Sequence, residues 1–100
     1  MYATTNTMTK ASAHDVVHAA KLVGLLAGAR VATYCCGGRL AVALGADWSL
    51  AISPDDANRL RIEACLDGRV MATMWAFAGD DRRLAELVSA ALQETAALAA

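Results

Sequence analysis

The chain has 100 residues, 57% of them hydrophobic, with a net charge of −1 and a pI of about 6.0. That length holds one domain, a layer of helix on a single sheet, and the near-balanced charge excludes a global field steering it to nucleic acid or an anionic membrane. Alanine supplies much of the apolar count and a methyl group removes little area from water, so the expected core is thin and a second protomer would thicken it.

Residues 1–10 form a Thr-rich polar stretch without an apolar period and predict a disordered leader, leaving 11–100 as a single α+β domain. Ser12 is placed to cap a helix running to about Ala29. Its buried stripe is Val16, Ala19, Ala20, Val23, Leu26 and Ala27, with Lys10, His14, His18 and Lys21 on the opposite side. Leu22 and Leu25 make the second half apolar nearly all round, which predicts cover on both sides. The segment Lys21 to Ala29 has the hydrophobicity of a secretion signal, but Arg30 ends it and no small-residue cleavage pattern follows. It is also too short to cross a bilayer, which takes about 20 apolar residues. Three cysteines without such a signal point to free thiols in a reducing cytoplasm.

From Val31 to Phe77 the period changes to two. An antiparallel five-strand meander is expected, over about 31–36, 39–44, 48–53, 59–66 and 69–77. Gly37-Gly38 and Asp67-Gly68 are two-residue hairpin signals, because a type I′ turn needs positive φ at both central positions. One face then carries Val31, Thr33, Cys35, Leu40, Val42, Leu44, Trp48, Leu50, Ile52, Leu60, Ile62, Ala64 and Leu66. The other carries Tyr34, Cys36, Arg39, Ala41, Ser49, Ala51, Arg59, Arg61, Glu63 and Cys65. The face of Trp75 stays open, since a bulge at Gly68 would swap it. Between the third and fourth strands, Ser53-Pro54-Asp55-Asp56 predicts one short helical turn, with Ser as cap, Pro in the first helical position and acids after it.

Asp80 and Asp81 suit the positive end of a final helix, with Leu84, Leu87, Val88, Ala91 and Leu98 buried and Glu86, Ser89, Gln93 and Ala97 outward. Both helices need the same sheet face, so the expected fold is an α+β two-layer sandwich.

Candidate chemistry is sparse. His14 and His18 stand at i, i+4, and with Cys36 and Cys65 they would complete a tetrahedral zinc set. The imidazoles project from a helix and the thiols from a sheet, so no metal is expected. Cys36 opposite Arg39 has a positive field but no base, and a strand thiol is more often a small packing group than a nucleophile. No phosphate-binding, dinucleotide, serine-hydrolase or zinc-protease motif occurs, so neither an enzyme nor a cofactor is expected. The least ordinary feature is the outer sheet face, where Arg39, Arg59 and Arg61 stand among small residues with Tyr34 and Trp75. Arginine with aromatics is the composition of interface anchors. These five residues are the candidate partner-binding set of a non-catalytic adaptor or regulator. Its expected partner is another protein, an acidic one suiting the arginines, or a second copy forming a homodimer, met on that face or at a sheet edge. A thiol or metal sensor and a single-stranded nucleic-acid binder are the alternatives, the latter disfavoured because Glu63 interrupts the patch.

Overall fold

The computed structural model describes residues 9–28, 31–33, 38–45 and 47–99. Helix α1 spans Ala13–Ala27 and helix α2 Asp81–Ala99. Between them, strands β2 (Leu40–Gly45), β3 (Trp48–Asp55), β4 (Arg59–Leu66) and β5 (Arg69–Phe77) form an antiparallel sheet in sequence order. Three residues, Val31–Thr33 (β1), pair along the free side of β2. The expected first strand over 31–36 is therefore not shown in full, because residues 34–37 lie outside the described residues. The two-residue hairpin expected at Gly37-Gly38 is corrected by the register: it would set Thr33 opposite Val42, whereas Thr33 stands opposite Leu40, a shift of two that leaves each residue on its expected face. The α+β class and the two helices stand as expected.

Local chemistry explains the helix ends. Ser12 accepts the Asp15 N–H at 3.1 Å through its hydroxyl, while the Asp15 carboxylate accepts the Ser12 N–H at 2.9 Å. This reciprocal box satisfies two orphan donors. Those hydrogen bonds from Ser12 also hold the Asp15 carboxyl below its ordinary pKa. Ser12→Ala is expected to cost about 1 kcal/mol of stability by urea unfolding; no change would mean that the box forms only transiently. At the other end Gly28 adopts φ 64° and closes α1 two residues before the expected stop at Ala29. Asp80 caps α2, accepting the Arg83 N–H at 3.1 Å.

Of the stretch 1–10 expected to be disordered, residues 9 and 10 are placed: the Thr9 carbonyl accepts the Asn58 N–H at 2.8 Å, and just beyond it the Ala11 N–H donates to the Asp55 carbonyl at 3.1 Å. Residues 1–8 lie outside the described residues.

The core lies between the helices and one sheet face. Val16, Ala20 and Val23 of α1, Val88 and Leu84 of α2, and Val42, Leu50, Ile52, Leu60 and Ile62 of the sheet are buried together. The alternation expected along β2, β3 and β4 places these residues inward. The far end of α1 differs from expectation: Val23 and Gly24 are buried, but Leu25 is 81% exposed and Leu26 46% exposed, so the described chain covers that end on one side only.

Two strand features also depart from expectation. Ser53-Pro54-Asp55 continues β3 instead of opening a helix, with Pro54 opposite Leu60 and Asp55 opposite Arg59. Among the described residues β2 pairs with β3 only up to Ile52, so the missing N–H of Pro54 removes no bond on that side. Ala57 and Asn58 take left-handed φ values of 59° and 55°, which turn the chain straight back into β4. The second feature is in β5. A two-residue turn, with Asp67 at φ 51° and Gly68 at φ 82°, sets Leu66 opposite Arg69. The register then shifts, Cys65 facing Val70 but Ala64 facing Ala72, which leaves Met71 as the extra residue of a bulge. That bulge places Trp75 opposite Arg61 on the outer face. Without it Thr73 would enter the core and Trp75 would point inward.

No helix is long and apolar enough to cross a membrane among the described residues.

Candidate functional site

The outer face of the sheet is built from β2 to β5 by the period-two alternation. The register sets Asp55, Arg59 and Phe77 in one row, Ser53, Arg61 and Trp75 in the next, and Ala41, Ala51, Glu63 and Thr73 in a third. Of the five candidate residues, Arg59, Arg61 and Trp75 come together here, and Arg39 approaches from β2. Tyr34 lies outside the described residues.

Asp55 organises this cluster. Its carboxylate accepts the Trp75 indole N–H at 2.8 Å and lies 3.4 Å from an Arg61 guanidinium nitrogen. Arg59 donates through Nε to the Asp56 carbonyl at 3.2 Å, and its guanidinium carbon stands 5.9 Å from the centre of the Trp75 ring. That distance is within cation–π range. Sequence reasoning missed Asp55 as a partner because the Ser-Pro-Asp-Asp signal assigned it to a helix start. A strand reading carried two residues further would have set it beside both arginines.

Arg39 makes a second pair, 3.1 Å from Glu63 on β4. Since β2 and β4 flank β3, this pair bridges the outer face over Ala51, which is 3% exposed. Cys65, expected to be accessible on this face, is only 5% exposed. Burial pushes its thiol above the ordinary pKa, an effect that nearby Arg39 partly offsets. A buried neutral thiol is a poor nucleophile and a poor metal ligand. His18 faces away from Cys65, with Nε2 3.1 Å from the Asp81 carboxylate at the start of α2. Among the described residues no group of three or more His, Cys, Asp or Glu side chains could hold a metal. Cys35 and Cys36 lie outside the described residues.

The Asp55 carboxyl is held below its ordinary value, first by the Asp56 backbone N–H, then by the Trp75 indole and the charges of Arg61 and Arg59. A carboxylate with a depressed folded pKa stabilises the fold above its unfolded value and loses that contribution as pH falls through the folded one. Asp15 is shifted in the same direction. Thermal melts are therefore expected to weaken below about pH 4, near the unfolded carboxylate value, with Asp55→Asn flattening part of that acid limb. An unaltered limb in Asp55→Asn would show that the cluster contributes nothing in solution.

The apolar part of this surface runs along β5, where Val70, Trp75 and Phe77 stand on the same outer face opposite Cys65, Arg61 and Arg59. Among the described residues this strand has a neighbour on one side only. Val70 is 48% exposed, Met71 57%, Trp75 43% and Phe77 59%. Sequence reasoning assigned Trp75 to the binding set but missed Val70, Met71 and Phe77. Val70 and Phe77 belong to the outer face, away from the helices, and the bulge that sets this parity along β5 is not written in periodicity. Behind β5, a cavity of about 490 Å³ opens between the sheet and α2, lined by Trp48, Leu66, Met71, Met74, Leu87 and Glu94 among others.

No family model, no curated protein and no solved structure matches this chain.

Proposed function

We propose that this chain is a small non-catalytic protein-interaction module, an adaptor or regulator of the cytoplasm, and that its docking surface is the β5 edge with the adjoining Trp75 and Arg59 rim of the outer face. One observation carries the reading: β5 is nine residues long, forms the last strand of the sheet and exposes four large apolar side chains. An edge of that length and composition is a template for strand addition, and natural sheets usually blunt such edges with charge, proline or cover. In β5 the single charge is Arg69, at its first position, and proline is absent.

The arginines support an acidic partner less than an apolar one, because Arg39 and Arg61 already face carboxylates and Arg59 a carbonyl and an indole ring. The same carboxylates, Asp55 and Glu63, would repel a phosphate backbone, so single-stranded nucleic acid has weaker support. A thiol or metal sensor gains nothing from the buried Cys65.

The test is a pull-down from native lysate with the wild-type chain and with Val70→Lys combined with Phe77→Lys. A stoichiometric protein retained by the first and lost from the second supports the reading. Equal recovery by both moves the docking surface away from β5, and recovery of nucleic acid replaces the reading altogether.

A further inference from the structure

The cavity behind β5 runs from a buried floor to an exposed rim. Ala64 and Leu87, each 8% exposed, form the floor, while Met71, Ala90 and Glu94 are exposed at the rim. Its space arises from side-chain size. Ala64 and Ala72 of the sheet and Ala90 and Ala91 of α2 line it, and their methyl groups are too short to close the gap between helix and sheet. Close-packed interiors keep few voids larger than a water molecule, and apolar walls give water no partners. A space of about 490 Å³ lies within the range of about 300–1,000 Å³ over which proteins hold small molecules.

The walls select the chemistry of an occupant. Trp48, Leu66, Met71, Met74 and Leu87 supply an indole, thioethers and branched chains. These suit a flexible apolar body, since methionine adapts its shape to what it touches. Glu94 is the one charged side chain among the described lining residues, and it takes no ion pair among the described residues. The adjoining turns carry the same sign. Asp47 precedes Trp48 and Asp67 follows Leu66, Trp48 and Leu66 stand opposite one another, and the Asp67 N–H donates to the Asp47 carbonyl at 2.9 Å. Against these carboxylates stands Arg69, opposite Leu66. A carboxylate at the rim of an apolar space matches a cation carried on an apolar tail and opposes an anion on the same tail.

We propose that this cavity is a binding site for a small amphipathic cation, an alkyl or aryl ammonium whose tail fills the space between sheet and α2 and whose head group meets Glu94 at the rim. The proposal goes beyond the docking surface and does not depend on it, because Val70 and Phe77 stand on the opposite, outer face of the sheet, away from the helices. A fatty acid of equal tail would bring like charge to Glu94. An apolar side chain from a partner protein would fill the space and leave Glu94 unanswered.

Trp48 reports occupancy by its own fluorescence once the other indole is removed. The full chain carrying Trp75→Phe is therefore titrated with octyltrimethylammonium and with octanoate, both below their micelle concentrations. Octyltrimethylammonium is expected to shift the Trp48 emission and saturate, with an affinity about tenfold or more above that of octanoate, a difference of about 1.4 kcal/mol or more. Glu94→Gln should remove this preference while leaving tail binding in place. Ala90→Phe, and independently Ala72→Phe, should fill the space and weaken both probes, with circular dichroism confirming that each variant is folded. Leu25→Lys, at an apolar side chain 81% exposed on α1, should leave binding unchanged. Absence of saturable binding, equal affinity for the two probes, a preference that survives Glu94→Gln, or binding that survives filling of the space overturns the proposal. Loss of binding in Leu25→Lys overturns it too, since the probe then adheres to bare apolar surface. None of these outcomes bears on capture of a protein through β5, which the lysate experiment reads separately.

Discussion

Ile62→Ala is expected to destabilise the fold by about 2–5 kcal/mol, the range for truncating a large buried aliphatic residue. Ile62 is fully buried at the centre of β4, opposite Ile52 on one side and Met74 on the other. It belongs to a cluster to which α1 contributes the short side chains of Ala19 and Ala20 beside Val16 and Val23. Short side chains have no slack with which to fill the void, so the upper half of that range is the expectation. In a domain of this size each kcal/mol shifts the melting temperature by about 4–8 °C, and total stability is only about 5–15 kcal/mol. Phe77→Ala is the control. With Phe77 59% exposed, it should stay within about 0.5 kcal/mol in the monomer. Similar losses in the two variants would show that the sheet faces are wrongly assigned.

Gly68→Val is the second large effect, about 1–3 kcal/mol. Gly68 sits at φ 82° in the turn joining β4 to β5, and a Cβ added there would meet nothing within 4 Å. The penalty is therefore one of backbone conformation alone, greatest for a β-branched residue. Gly68→Asn should recover most of the loss, because asparagine tolerates the left-handed region. If valine and asparagine are equally damaging by thermal melting, crowding rather than φ governs the turn.

Much of this architecture was legible in the residues. Ser12 marked the first helix start, Asp67-Gly68 marked the hairpin, and strict alternation from Leu40 to Leu66 assigned the inner face, because each of these signals is settled within a few residues. The departures came where distant pairing decided the outcome. Ser53-Pro54-Asp55-Asp56 carries a good local helix-start signal, yet β4 pairs with Pro54 and Asp55 and extends the strand. Tertiary pairing outweighed a weak local preference. The side of Trp75 depended on a single unpaired residue, Met71, which no composition marks in advance. In the candidate site, parity put Arg59 and Arg61 on one face, whereas Trp75 joins them only through the bulge at Met71, and their partner Asp55 was hidden by the helix reading. Cys65 kept its face, but it is only 5% exposed there, a burial that alternation alone does not predict.

The bulge at Met71 has a consequence for chain length. Because Cys65 faces Val70 and Ala64 faces Ala72, removing Met71 would let the ladder close without moving any later residue to the other face. β5 thus carries one residue of slack. Loss of a residue near its start is absorbed, whereas an added one demands a second bulge or inverts every side chain up to Phe77. The strand that forms the exposed edge is thereby tolerant of shortening and intolerant of lengthening, an asymmetry that one-residue deletion and insertion variants would display directly.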